Sequence, residues 1–462
     1  MKLVKMSLVA AMVMGASAFA IDNVKVSGDA KLYYGTSNAS TTGSGGTIQP
    51  ATAGGSQSGL FSKNNSAGDT AVRIGATGDL MKGVSFGVTG YAVSSLGLEN
   101  NLVSNTWTGA HGVTGNGSSA TAQVDTTAWI GEMWMAATLG KTTVKIGRME
   151  LDTPFAYSEK WSVVPNTFEA AVVINQDLPD TTLVGAWVGK GNGQNTLLNG
   201  TTGLGIDNTT GVIGIDGIIG KGANQNTFGN DGAYAVAAVN NSFKPLTAQA
   251  WYYNVVNVAD AYWLQADIAC SLVKDLKIGA QYANMSPKGE LKRIVNTLPQ
   301  SDIKDSSAYA AKIGYEGVKN LKVSAAYSKV DKDGTLKIAN VATNNLSAAQ
   351  SKLYTEAYWN YGYVGAPDAR TYTFAGEYNA GFATLGAQYT DVSIGTTSTL
   401  TQLVGKSDTK MKEAALYASK SFGALDATLV YFSTKADDQN IKAGATNGSR
   451  YDSVLAMLQL NF

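Results

Sequence analysis

The chain ends Val454-Leu455-Ala456-Met457-Leu458-Gln459-Leu460-Asn461-Phe462. Counted back from the end, Phe462, Leu460, Leu458, Ala456 and Val454 fall on one face of an extended strand, because strand side chains alternate sides. A bare apolar strand at a chain terminus is an aggregation hazard in water. In a closed membrane barrel the same face meets lipid, and the strand has a neighbour on either side.

The alternation recurs upstream. Val24, Val26, Gly28, Ala30, Leu32 and Tyr34 share one face, and Lys25, Ser27, Asp29, Lys31 and Tyr33 share the other. Val84-Phe86-Val88, Leu276-Ile278-Ala280-Tyr282, Leu321-Val323-Ala325-Tyr327 and Leu425-Ala427-Leu429-Tyr431 repeat it. A soluble sandwich would alternate too, so connection lengths decide. Short links at Met81-Lys82, Gly140-Lys141, Gln176–Asp180, Phe243-Lys244-Pro245, Val273-Lys274-Asp275, Gly317–Asn320, Ala380-Gly381 and Phe422-Gly423-Ala424 alternate with longer polar segments. These cover 36–68, 95–125, 150–166, 191–230, 286–304, 332–369, 393–410 and 435–449, with a brief one near 256–259. Tight turns on one side and long loops on the other are the sidedness of an outer-membrane up-and-down barrel. The pattern predicts an all-β, antiparallel barrel of about 18 strands, with 16 as the alternative count. A barrel of that size encloses an aqueous channel unless something plugs it.

Composition agrees. Gly 52 and Tyr 22 against Pro 8 suit strands and turns better than long helices. Lys2 and Lys5, the apolar run Met6–Met14 and Ala18-Phe19-Ala20 read as a signal peptide over 1–20, leaving 21–462 as the barrel domain. No second long apolar stretch follows, which argues against helical membrane spans. Lys+Arg 35 balance Asp+Glu 35, so no global field points to nucleic acid. The single Cys270 excludes an internal disulfide and a thiolate metal cluster; it continues the alternation of a strand over 259–272 and is expected to face lipid.

A terminal Phe closing an alternating strand resembles the signature by which bacterial outer-membrane proteins are recognised for insertion, with Phe462, Leu460 and Leu458 as its residues. Lys145-Ile146-Gly147-Arg148-Met149-Glu150-Leu151-Asp152-Thr153-Pro154-Phe155, continuing through Trp161-Ser162-Val163-Val164-Pro165-Asn166-Thr167-Phe168-Glu169-Ala170, resembles the third-loop region of the OprD-like porins. The likeness is nearest to the epsilonproteobacterial major outer-membrane porins. It implies a third loop folded into the lumen, passive diffusion of ions and small polar solutes, and a homotrimer.

Pore-lining charges set the ion preference of a channel. The third loop offers Glu150, Asp152, Glu159 and Lys160. Parity turns Arg73, Lys145, Lys312, Lys322, Glu132, Asp267 and Glu377 inward. Arg148 joins the candidate constriction set although it shares the parity of Val144, since parity can break at a strand end. The loop carboxylates favour a weak cation preference. Tyr34, Trp134, Trp187, Trp251, Tyr252, Tyr282, Tyr327, Tyr389 and Tyr431 suit interfacial girdles, with Trp263 as the one inward candidate for stacking a sugar.

Catalysis finds little support. His111 is the only histidine and sits in a loop, so a His metal cluster is excluded and a triad would hang on one loop residue. Leu400–Ser407 approaches a phosphate-binding loop but has Leu where the first Gly belongs. No cofactor is expected, beyond a hard cation such as Ca²⁺ that the Asp/Asn/Gly loops could hold. The expected partners are lipid and lipopolysaccharide, the barrel-assembly machinery and other copies of the chain. The rival readings are a surface adhesin and a barrel hydrolase.

Overall fold

A computed structural model describes residues 22–39, 59–94, 127–161, 163–192, 232–289, 303–341, 349–395, 408–441 and 445–462, with the short pieces 96, 105–106, 205–206, 213–214, 226–227 and 292. The signal-peptide segment, His111 and 400–407 lie outside the described residues.

Eighteen long strands carry the fold. They are β1 (Asp22–Ser37), β2 (Ser66–Met81), β3 (Val84–Ser94), β4 (Thr127–Leu139), β5 (Thr142–Met149), β6 (Phe168–Asn175), β7 (Thr181–Gly191), β8 (Ala233–Asn240) and β9 (Leu246–Val255). The second half comprises β10 (Ala259–Ala269), β11 (Leu276–Pro287), β12 (Ser306–Val318), β13 (Leu321–Val330), β14 (Ala369–Asn379), β15 (Thr384–Ile394), β16 (Thr409–Phe422), β17 (Leu425–Ala436) and β18 (Tyr451–Asn461). Each pairs antiparallel with the next, and β1 pairs with β18. The sheet closes on itself, which settles the count at eighteen and leaves no open edge.

The turns explain the tight side. Gly83, Gly140, Asp180, Asp275, Asn320, Gly381 and Gly423 all have positive φ. Gly, and Asn or Asp with short polar side chains, enter that region most readily. Seven of the eight short links therefore contain a residue suited to reversing the chain between strands.

The seam between β1 and β18 runs on to the terminal residue. Gly28 and Phe462 exchange both backbone hydrogen bonds, at 2.7 and 3.0 Å. A Cβ on Gly28 would come 2.4 Å from the Arg73 carbonyl oxygen and 2.7 Å from Phe462 Cε2. The terminal ring thus lies over the one lipid-facing position of β1 that lacks a side chain. Gly28→Leu is expected to weaken the seam by about 1–3 kcal/mol, the usual cost of overpacking. A lower unfolding temperature in a heat-modifiability gel would register it, and an unchanged one would refute the role given to Gly28.

Outward parity holds along the wall. Met133, Met135, Ile146, Leu264, Ile278, Ile313, Phe374, Leu416, Leu429, Leu458 and Leu460 are large, apolar and exposed. Such a belt is an anomaly in water and the expected lipid face of a barrel. No helix among the described residues is long and apolar enough to cross a membrane, so the strands do the crossing. Tyr252 packs on Tyr262, and Tyr327 packs on Tyr309 and Tyr372, forming part of a girdle. Two expected girdle residues are instead lumenal. Trp134 shares the inward parity of Glu132, between exposed Met133 and Met135, and Trp251 faces Trp263 across β9 and β10 inside the barrel. Cys270 is also corrected: β10 ends at Ala269, and the Cys270 sulfur accepts the Val273 N–H within the turn.

The packed interior is made by the wall together with two loops. Phe155 from the loop after β5, and Leu336, Ile338, Leu353, Tyr363 and Val364 from the loop after β13, join inward residues of β8–β17 in one apolar cluster.

Candidate functional site

One group of charges gathers on β1–β5. Asp29 and Arg73 face each other across β1 and β2. Arg73 donates to Asp29 Oδ2 from Nε at 2.9 Å and from Nη2 at 2.5 Å. Its guanidinium lies 5.7 Å from the centre of the Tyr91 ring, and the Tyr91 hydroxyl reaches Glu132 at 3.5 Å. Lys145 sits 4.0 Å over the Trp134 ring. Inward parity on successive strands thus produces a continuous polar band.

The third loop (150–167) crosses this band. Glu150 bridges two cations, Arg73 Nη1 at 3.3 Å and Lys160 Nζ at 2.8 Å. Asp152 is 83% exposed and paired with Lys352 of the seventh loop. Between them the chain doubles back through a bridge from Asp152 to Tyr157. This places Phe155 edge-on against Tyr253 at 5.5 Å and Trp263 at 5.4 Å on the far wall. Trp263 is only 1% exposed, so it is a seat for the loop and offers no face to a sugar.

The described residues of the seventh loop (331–341 and 349–368) follow the inner wall, which their position between two strands did not reveal. Tyr354 donates to Asp267 at 2.5 Å, Gln281 donates to the Lys352 carbonyl at 3.0 Å, and the Trp359 and Asn360 N–H groups donate to Glu413 at 2.9 Å. It is zipped to the third loop by the Val341 N–H on the Phe155 carbonyl at 2.8 Å and by Asn340 on the Tyr157 carbonyl at 2.9 Å.

Two candidates leave the water-facing set. Glu159 is 2% exposed; its oxygens accept from Trp161 Nε1 at 2.8 Å and Asn340 Nδ2 at 3.1 Å, so it joins the two loops and does not face the lumen. Arg148 points outward. It pairs in register with exposed Met133 and donates to Ile130 O and to Glu169 Oε1, both at 2.8 Å. Strand parity had not broken there.

Asp267, Lys312, Lys322 and Glu377 gather elsewhere, around a cavity of about 500 Å³ on β9–β14 and β16 that also takes in Lys277, Glu316 and Tyr417. Lys322 pairs with Glu377 at 3.3 Å and Lys277 with Glu316 at 2.8 Å. Lys312 lies 5.8 Å from the Tyr354 ring centre. Among the described residues no group of three or more His, Cys, Asp or Glu side chains could hold a metal.

The model of the OprD outer membrane porin family matches residues 64–387. The chain belongs to the OprD family of outer-membrane porins. The OprD-family barrel is also similar to solved structures from Pseudomonas aeruginosa. OpdK with vanillate has a TM-score of 0.67 at 12% identity, covering 95% of this chain and 98% of that one. OccK8 (OprE) gives 0.65 at 14%, with 95% and 98% covered. OccK2 (OpdF) in complex with glucuronate gives 0.62 at 12%, again with 95% and 98% covered. Comparison with the curated proteins gives no match. This OprD-family porin is therefore an outer-membrane channel through which small solutes diffuse, and its relatives are channels and not enzymes.

Asp29, Lys277, Glu316, Lys352 and Glu413 escaped selection from the sequence. Asp29 carried a usable signal, being a charge on the water parity of the first strand. The seventh loop carried another in Tyr358-Trp359-Asn360-Tyr361-Gly362-Tyr363, too aromatic for a loop that only meets solvent.

Proposed function

We propose that the third and seventh loops together form the constriction, with Glu150, Asp152, Lys160, Arg73, Glu132 and Lys145 on one side of the path. Asp267, Lys312, Lys322 and Glu377 line a polar chamber that also receives the solute. The observation that carries this reading is the direct joining of the two loops through Asn340, Val341 and Lys352. Small carboxylates are included among the solutes. The vanillate and glucuronate in the OpdK and OpdF structures support that choice, as does Lys312, the chamber lysine outside the Lys322–Glu377 and Lys277–Glu316 pairs.

The proposal departs from a simple cation preference. Glu150 is shared by Arg73 and Lys160, and Asp152 is matched by Lys352, so the loop carboxylates present little uncompensated negative charge. Replacing both with amides would leave three cations without those partners. In a planar bilayer in asymmetric salt, the wild type is expected to give stepwise currents. Glu150→Gln with Asp152→Asn should move the reversal potential towards anions. Silence from folded, heat-modifiable barrel would overturn the open channel, and an unmoved potential would overturn the site assignment.

The same reading extends to biogenesis. Residues 1–20 are removed on export, Phe462, Leu460 and Leu458 engage the barrel-assembly machinery, and the mature chain forms a homotrimer with no catalytic role. The nearness to the epsilonproteobacterial porins is supported by the Lys145–Ala170 motif.

A further inference from the structure

The outer surface carries an uneven distribution of charge just beyond the tyrosine girdle, on the side of the long loops. Outward parity on β13–β17 runs Tyr327 then Lys329, Tyr372 then Arg370, Tyr389 then Asp391, and Tyr431 then Lys435; β16 adds Lys410 and Lys412. These positions adjoin in register. Lys329 is opposite Arg370, Arg370 opposite Ser393, Ser393 opposite Lys410, and Lys412 opposite Lys435.

Two of those pairs set like charges directly across a ladder, an arrangement that destabilises a sheet. The nearby acids offset only part of it. Asp368 is taken by Lys329 and Asp391 by Lys412 at 3.1 Å. Asp437 accepts the backbone N–H of Lys410 at 3.1 Å, and Asp452 accepts the Tyr431 hydroxyl at 2.8 Å. Among the described residues Arg370, Lys410 and Lys435 have no ion-pair partner, and all three are exposed. Five cations thus stand against four carboxylates on this face, and three of the cations are left outside any ion pair.

We infer that this face of β13–β17 is a binding site for a phosphorylated glycolipid headgroup of the outer leaflet, with Arg370, Lys410 and Lys435 contacting its phosphates. Depth selects a lipid as the source of phosphate. The Tyr327 and Tyr372 rings, 5.0 Å apart, mark the interface where such rings sit at headgroup level. The cations stand one or two outward positions above them, where a headgroup phosphate lies and where basic residues gain most from an anionic leaflet. The apolar belt directly below, with Phe374, Leu416 and Leu429 exposed, would receive the acyl chains of the same molecule.

The test uses the full barrel in detergent, titrated with bisphosphorylated lipid A and followed by native mass spectrometry. Arg370→Gln with Lys410→Gln and Lys435→Gln should bind about 100-fold more weakly, given the usual contribution of each surface cation to an anionic headgroup. Lys244→Gln, in a turn at the opposite end, should bind as the wild type does. Dephosphorylated lipid A should bind as weakly to the wild type as the phosphorylated lipid does to the triple variant. Should the triple variant fail to migrate as folded barrel, Arg370→Gln alone should still weaken binding about five-fold. Equal binding by folded variant and wild type, or by phosphorylated and dephosphorylated lipid, would overturn the inference. Displacement of the lipid by an equal concentration of inorganic phosphate would do so too, since it would mark a site for free anions.

Discussion

Phe155→Ala should leave the barrel folded and raise its single-channel conductance several-fold. The side chain is almost wholly buried against Tyr253 and Trp263, and truncating a buried Phe costs about 3–5 kcal/mol. That loss falls on the loop alone, because the strand ladder does not pass through residue 155. The Phe155 carbonyl also accepts the Val341 N–H, so freeing the third loop loosens the seventh. Heat-modifiable migration should therefore barely move, while conductance steps in a planar bilayer grow. Equal conductance with equal stability would mean that the polar contacts of Asn340 and Lys352 hold the loop without the aromatic seat.

The wall of this barrel was legible in the sequence and most of its interior was not, for one physical reason. A strand repeats every two residues, so Arg73, Lys145, Glu132, Lys312 and Lys322 could be assigned a face from their neighbours alone. A loop has no period. Glu150, Asp152 and Glu159 look alike in a string, yet Glu150 bridges two cations, Asp152 stands in water and Glu159 is sealed between loops. The errors arose where parity was set aside. Trp134 shares the inward parity of Glu132 yet was given to a girdle, and Arg148 was misassigned by expecting a break that did not occur. The seventh loop shows what the distinction costs. Its polar residues suggested solvent, but Asn360 donates to Glu413 and the Thr355 hydroxyl meets Ser328 on the inner wall, Glu356 accepts from Ser351 within the loop, and Leu353, Tyr361 and Tyr363 are the residues that bury.

Raising the pH should unseat that seventh loop, and Glu356→Gln should prevent it. Burial pushes the Glu356 carboxyl well above the usual carboxylate range. The Ser351 N–H, 3.1 Å from both oxygens, pulls the other way, and the nearby Glu159 adds to the rise. The groups facing it are Glu159, Glu413, Tyr157 and Tyr361, none of which is a cation. With the folded value raised, the seated loop prefers the proton more than the released loop does. Its stabilisation is complete below the ordinary carboxylate range and is lost as pH rises through the elevated value. Conductance should thus be steadiest below the ordinary carboxylate range and become larger and noisier as pH rises above it, through ionisation of a poorly solvated side chain. The amide keeps the shape and cannot ionise, so the variant should stay quiet across the same titration. Noise that rises identically with pH in the two proteins would assign the transition to another group.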